Sequence, residues 1–340
     1  MKAFFIDAPG ETSLGLVDEP TPAADEVRLR VRTVGFCGTD LSTFQGKNPL
    51  VSYPRIPGHE IGASIEATGA AVPDRFQKGA DVTVLPYTNC GECSACRQER
   101  PNCCRKNETL GVQRHGALAE VITVPWQKIV PASQRSLREL ALVEPLTIGF
   151  HAVQRGEMAA RDTVVVLGCG TIGLGVVAGA VRQGAEVIGV DLYDWKLDLA
   201  RTIGAEHTVN TDSHSLSDRL RAITDGEGPA VIVEAIGQPE TFRAAVDEVA
   251  FGGRVVYLGY VGEPVTYDPT PFVKKELDIR GSRNARRDDF RDVIDFLGEG
   301  SFPVDRMITR TVEMESAGRA LKKWRDHPQN ITKIQVAVQS

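Results

Sequence analysis

The chain has 340 residues, 42% apolar and 25% charged, which is enough to bury a sizeable core and, at this length, to divide into two domains. That composition excludes the disordered and fibrous classes. Lys and Arg total 39 against 45 Asp and Glu, a net charge of −6 with no run of like charges, so nucleic acid is not an expected partner.

The opening MKAFFIDAPGETSL reaches Asp7 after a short apolar run and shows no small-residue cleavage pattern, which argues against a secretory signal. VRLRVRTV, residues 27–34, alternates: Val27, Leu29 and Val31 share one face and Arg28, Arg30 and Arg32 the other, as in a half-exposed strand. Short β-rich runs at 62–67, 81–85 and 119–124, broken by Gly, Pro and Asn, extend a mainly β reading over the first 145 residues. After residue 146 the pattern changes. Val/Ile-rich runs at 163–167, 186–190, 207–209, 230–234, 254–258 and 277–280 alternate with helix-length segments, which predicts a doubly wound parallel sheet. A helix over 288–298 follows, then strands at 309–312 and 332–338 that are expected to return to the first domain.

Residues 163–181 carry no charge and hold a small-residue pair, Gly175 and Gly179, so they could be read as a membrane span. Five glycines in that stretch fit a buried strand, turn and helix better, because a parallel strand covered on both faces is apolar throughout. With no anchor and with thiols that look reduced, the cytoplasm is the expected compartment and a membrane is not an expected partner.

Three groups of residues carry chemistry. In VVVLGCGTIG, Gly168, Gly170 and Gly173 form GxGxxG directly after an apolar strand and at the start of a helix, where backbone N–H groups can hold a pyrophosphate. The second strand ends in Asp191, 18 residues after Gly173, where a carboxylate accepts from both hydroxyls of an adenosine ribose, and no basic residue follows directly to receive a 2′-phosphate. This favours NAD, with Gly168, Gly170, Thr171, Ile172, Gly173, Asp191 and Lys196 as the cofactor-binding set. Five of the seven cysteines lie at Cys90, Cys93, Cys96, Cys103 and Cys104, and C-x2-C-x2-C followed by a fourth thiolate folds around a tetrahedral zinc with no open position, a structural ion. Spacing alone does not choose between Cys103 and Cys104. Cys37 in GFCGTD, His59 and Glu60 in PGHE and Glu144 in LVEPL form a dispersed S, N and O set that can bind a second zinc and leave one position for substrate.

The order GFCGTD, GHE, C-x2-C-x2-C-x7-C, EPL, GxGxxG and a carboxylate after the second strand resembles the zinc-dependent medium-chain alcohol dehydrogenases over nearly the whole chain. LVEPLTIGFHAV is similar to the polyol and sorbitol branch and to threonine dehydrogenases, while FQGKNPLVSYPRIPGHE and GSRNARRDDF are similar to bacterial enzymes that oxidise sugar acids such as galactonate. The resemblance implies an α/β protein with a GroES-like β-rich catalytic domain at 1–146 and 286–340 and a Rossmann NAD-binding domain at 147–285. It also implies a catalytic zinc on Cys37, His59, and Glu60 or Glu144, and a structural zinc on Cys90, Cys93, Cys96 and Cys104. Thr39 matches the Ser/Thr that starts the proton relay, but Ser42 stands where many relatives carry His, which leaves water or ribose hydroxyls as the exit.

The expected reaction is hydride transfer from a secondary alcohol of a polyol or sugar acid to NAD, since zinc acidifies a bound hydroxyl and the nicotinamide takes the hydride. A carboxylate substrate needs a cation. Arg283, just past the last strand of the sheet, is the candidate, with Asn284 beside it and His115 as a further lining residue. Threonine or simple secondary-alcohol oxidation is the alternative within the enzyme class, a catalytically silent NAD sensor the alternative outside it, and a homodimer or homotetramer the expected assembly.

Overall fold

The alternating VRLRVRTV lies in the strand Glu26–Phe36, where Val27, Leu29 and Val31 are fully buried. On the opposite face Arg28 and Arg30 both reach Glu66 on the neighbouring strand Glu60–Thr68, Arg28 at 2.7 Å. These two strands are the centre of a seven-stranded sheet in the order Ile308–Glu313, Lys333–Ala337, Glu26–Phe36, Glu60–Thr68, Asp81–Val84, Ile129–Pro131, with Val121–Pro125 also paired to Glu26–Phe36. The last two strands of the chain therefore do return to the first sheet. A hairpin of Lys2–Ala8 and Glu11–Leu16 was not expected, because its second strand has no apolar alternation; its register is set by pairing with the first.

The Val/Ile-rich runs form a second sheet, all parallel, in the order His207–Asn210, Glu186–Asp191, Thr163–Leu167, Val231–Glu234, Arg254–Tyr257, Asp278–Gly281. Val164, Val165 and Val166 are wholly buried, as a central strand covered on both faces requires. The order reverses between Thr163–Leu167 and Val231–Glu234, and in such sheets ligands bind at the carboxyl ends beside that switch point.

The computed structural model describes residues 1–132 and 134–338. It divides into one unit of Met1–Pro145, Arg286–Gly300 and the chain from Val304, and another of Leu146–Ala285 with Ser301–Pro303. The division falls inside the helix Leu137–Arg155, at Pro145, one residue before the expected boundary, and Ser301–Pro303 group with the second unit rather than the first. Among the described residues no helix is long and apolar enough to cross a membrane. The small pair has another use: a Cβ at Gly149 would collide with the backbone of Gly175, and one at Gly179 would lie 3.1 Å from Val153, so the glycines let the helices Leu137–Arg155 and Thr171–Arg182 pack backbone to backbone within the second unit.

Candidate active site and metal centres

Cys37 caps the short helix Gly38–Phe44, and Asp40, at the third helical position, accepts the Cys37 N–H at 2.8 Å in a reciprocal cap. The other oxygen of Asp40 takes the Gly58 N–H at 3.3 Å, which ties this helix start to the turn carrying His59 and Glu60. Ligand atoms of Cys37, His59 and Glu60 lie within 4.8 Å of one another, with His59 and Glu60 buried. Nδ1 of His59 is buried with no hydrogen-bond partner. Burial alone would lower the His59 pKa, but Cys37, Asp40 and Glu144 overcome it and hold the imidazole well above its ordinary value. The surroundings thus stabilise positive charge where the sulfur, nitrogen and oxygen donors converge, and this donor set fits zinc.

Both glutamates have partners that lie far away in sequence. Lys333 donates to both oxygens of Glu60, at 2.5 and 2.6 Å, and to the Phe36 carbonyl at 3.0 Å. Glu144, in the helix Leu137–Arg155, accepts from the buried Tyr87 hydroxyl and lies outside the Cys37–His59–Glu60 triplet. Burial, reinforced by Glu144, raises the Tyr87 phenol well above its usual range, so it stays a neutral donor. Thr39 is next to the triplet, with the Cys37 thiol 3.6 Å from its hydroxyl. Ser42 is turned back onto its own helix, its hydroxyl donating to the Thr39 carbonyl at 2.9 Å.

Cys90, Cys93, Cys96 and Cys104 form a second cluster, and Cys103 stays outside it, 3.7 Å from the Arg100 guanidinium. Sγ of Cys104 lies 3.6 Å from that of Cys90 and 3.9 Å from that of Cys93. Four sulfurs about 2.3 Å from a tetrahedral zinc would lie roughly 3.8 Å apart, so the cluster has the size of a thiolate zinc site. Backbone N–H groups of Arg105 and Cys96 bring the Cys93 thiol down to about 6.

In the second unit Gly168 has φ +95°, a left-handed turn, and a Cβ at Gly173 would collide with the Gly168 carbonyl, so both positions need glycine for the fold itself. A Cβ at Gly170 would meet no protein atom. Gly170 is the N-cap of Thr171–Arg182, which places Thr171, Ile172 and Gly173 in the first turn, where the helix N–H groups can hold an anion. Asp191 ends the second strand, with one oxygen taking the Cys169 N–H at 2.9 Å and the other the Leu192 and Tyr193 N–H groups at 2.8 and 3.1 Å. Lys196 lies over the Tyr193 ring at 5.1 Å.

His115 is pinned by the Ile56 N–H, which donates to its Nδ1 at 3.2 Å. Arg283 and Asn284 are each already engaged with other residues, and Asn284 has a positive φ of 51°. The residues that sequence reasoning missed are Asp40, Tyr87 and Lys333. A lysine at the start of the final strand, KIQVA, next to Ile334, was the one signal that could have revealed the last.

Residues 23–134 match the alcohol dehydrogenase GroES-like domain and residues 171–299 the zinc-binding dehydrogenase domain. L-galactonate-5-dehydrogenase of Escherichia coli K12 is 34% identical over 91% of each chain. Among solved structures, RspB of E. coli CFT073 with NADH bound matches with a TM-score of 0.92 and 30% identity over 99% of each chain. A zinc-binding dehydrogenase of Sinorhizobium meliloti 1021, bound to NADP, matches with a TM-score of 0.89 and 30% identity over 99% of this chain and 98% of that one. With both domains matched and such identity over almost its whole length, the chain belongs to the zinc-type medium-chain alcohol dehydrogenases, in the branch that holds polyol and sugar-acid dehydrogenases.

Proposed function

We propose that the protein oxidises a secondary alcohol of a polyol or sugar acid with NAD, using one zinc ion in catalysis and another in structure. The observation that carries this reading is the convergence of Cys37, His59 and Glu60, whose ligand atoms lie within 4.8 Å of one another with His59 and Glu60 buried, a donor set of the kind that holds an exchangeable zinc. When bound there, zinc would acidify the substrate hydroxyl, and a nicotinamide would supply the hydride acceptor.

The chain's own residues do the rest. Cys37 and His59, with a carboxylate from Glu60 or Glu144, would hold the ion, and Asp40 fixes the Cys37 backbone and the turn before His59. Thr39, whose hydroxyl lies 3.6 Å from the Cys37 sulfur, would take the hydroxyl proton. Because Ser42 is tied to a backbone carbonyl, that proton leaves through water or ribose hydroxyls. The Gly168–Gly173 turn and Asp191 would bind NAD, with Lys196 flanking them, and Arg283, Asn284 and His115 are the proposed substrate-side residues. The strand Asp278–Gly281 ends its sheet with one edge unpaired among the described residues, which supports a homodimer or homotetramer joined through these sheets. The cytoplasm is the proposed compartment.

The test is reduced-nicotinamide absorbance from purified protein with NAD and a panel of aldonates, polyols and threonine, together with metal analysis. Two zinc ions per chain and turnover of an aldonate or polyol are expected. Turnover of threonine alone would replace the substrate class, and no turnover of any alcohol would remove the reading.

A further inference from the structure

Arg55 lies in the segment leading to His59 and is only 7% exposed. A guanidinium cannot shed its proton, and a buried charge is retained only where something compensates it. No carboxylate among the described residues does so. Burial lowers the Arg55 pKa and no acidic group opposes it. One terminal nitrogen donates to the Ser52 hydroxyl at 2.7 Å, while Nε is buried with no acceptor.

His115 lies close enough for the Arg55 charge, after burial itself, to hold its pKa below the ordinary value, which keeps the imidazole neutral at neutral pH. Because Nδ1 accepts from Ile56, the ring proton of the neutral form is on Nε2. A guanidinium lacking a counter-charge therefore has a hydrogen-bond donor for a neighbour, where a carboxylate would ordinarily be needed.

The surroundings hold these groups in place. Arg55 and Ile6 exchange backbone hydrogen bonds at 2.8 and 2.9 Å, Gly116 N–H donates to the Ile56 carbonyl at 2.7 Å, and Ala117 N–H to the Gly58 carbonyl at 2.9 Å. Gly111 is packed so tightly that a Cβ would lie 2.6 Å from the Gly58 nitrogen. His59 is four residues beyond Arg55, so their Cα atoms are at most about 14 Å apart. An arginine side chain and a five- or six-carbon chain together span that distance.

We propose that Arg55, Ser52 and His115 form a receptor for an oxyanion, the carboxylate or phosphate end of a substrate whose alcohol is presented to the Cys37–His59–Glu60 triplet. The inference rests on the dehydrogenase reading for the identity of the ligand, and on Arg55 alone for the charge it takes. An oxyanion there would supply the acceptor and the counter-charge that Arg55 does not find among the described residues.

The test uses the full-length, zinc-loaded protein with NAD. Dissociation constants are measured by calorimetry for gluconate and galactonate, for the neutral glucitol and galactitol, and for glucitol 6-phosphate. At least one anionic ligand should bind tenfold or more tightly than its neutral partner. Gluconate or galactonate in that role identifies a carboxylate as the source, and glucitol 6-phosphate a phosphate.

Arg55→Lys, which keeps the charge but loses the fork, should remove most of that advantage and leave the neutral polyols within twofold. His115→Asp, which places a carboxylate beside Arg55, should erase the advantage and raise the thermal midpoint; it carries the test if Arg55→Lys does not fold. Equal binding of anionic and neutral ligands by the wild type overturns the proposal, as does an advantage that survives substitution in a folded variant. NAD reduction is scored separately. Anion binding that depends on Arg55 in a protein that oxidises no alcohol would leave the receptor standing and remove the dehydrogenase reading instead.

Discussion

Lys333→Met removes an ammonium but keeps an apolar side chain of similar length. Lys333 is 2% exposed and Glu60 not at all, and the ammonium donates to both carboxylate oxygens. Burial raises the Glu60 pKa, and Lys333 is the largest influence opposing that rise. Deleting one partner of such a pair strands the other charge, which costs about 3–5 kcal/mol. For a domain of this size each kcal/mol moves the thermal midpoint by about 2–4 °C, so the zinc-free variant should melt roughly 6–20 °C below wild type. Two further measurements isolate the cause. Adding Glu60→Gln removes the stranded charge and should recover more than half of the loss. Loading with zinc supplies another cation beside Glu60 and should narrow the gap between variant and wild type. A fall of less than about 2 °C, or a double variant no better than the single one, would refute the charge argument.

Cys93→Ser should lower the zinc content from two ions to one per chain and reduce stability, because a closed thiolate site contributes its binding energy to folding; a variant that keeps both ions and full stability but loses turnover would mean that the roles of the two clusters are reversed. Wild-type protein should prefer NAD to NADP by at least tenfold in kcat/KM, about 1.4 kcal/mol, since Asp191 would face a dianionic 2′-phosphate, and Asp191→Gly should narrow the ratio; equal use of both cofactors by the wild type counts against the assignment. Glu66 has its pKa depressed by Arg30 and Arg28, so its contribution is present above the unfolded carboxylate pKa and disappears as pH falls through the lower folded one. Glu66→Gln should therefore cost roughly 1 kcal/mol at pH 7, and the difference from wild type in thermal midpoint should shrink below about pH 4.5; a difference that does not change with pH would rule out the ion pairs as its source.

The parallel sheet was legible because its central strands, such as Thr163–Leu167 and Val231–Glu234, are Val/Ile-rich and buried and alternate with helix-length segments. Observed strands such as Thr163–Leu167 and Glu186–Asp191 lie within a residue of the expected runs. What escaped notice was structure stabilised by partners rather than by its own pattern. Glu11–Leu16 reads ETSLGL, with Leu16 82% exposed, and is a strand because Lys2–Ala8 supplies its hydrogen bonds. The charge-free stretch at 163–181 shows the converse. Its small residues permit close packing in either solvent, and it was the phosphate-type turn between strand and helix that distinguished a buried core from a bilayer span.

At the candidate site, residue types and spacing pointed to Cys37, His59, Glu60 and Glu144 but not to what holds them, because Tyr87 and Glu144 meet across 57 positions and Lys333 and Glu60 across 273. Those partners separate two glutamates that spacing left equivalent. Glu60 faces an ammonium, so that pair carries no net charge, while Glu144 is met by a phenol that burial keeps neutral. A divalent ion held by Cys37 and His59 would then be balanced by the Cys37 sulfur and Glu144, with Glu60 electrically offset by Lys333. Charge balance of this kind decides how tightly a site holds its ion, because in a low-dielectric interior any unbalanced charge is expensive. It also gives Lys333 a role that local sequence could not reveal: the lysine would let a second carboxyl side chain stand beside the ion without adding net negative charge.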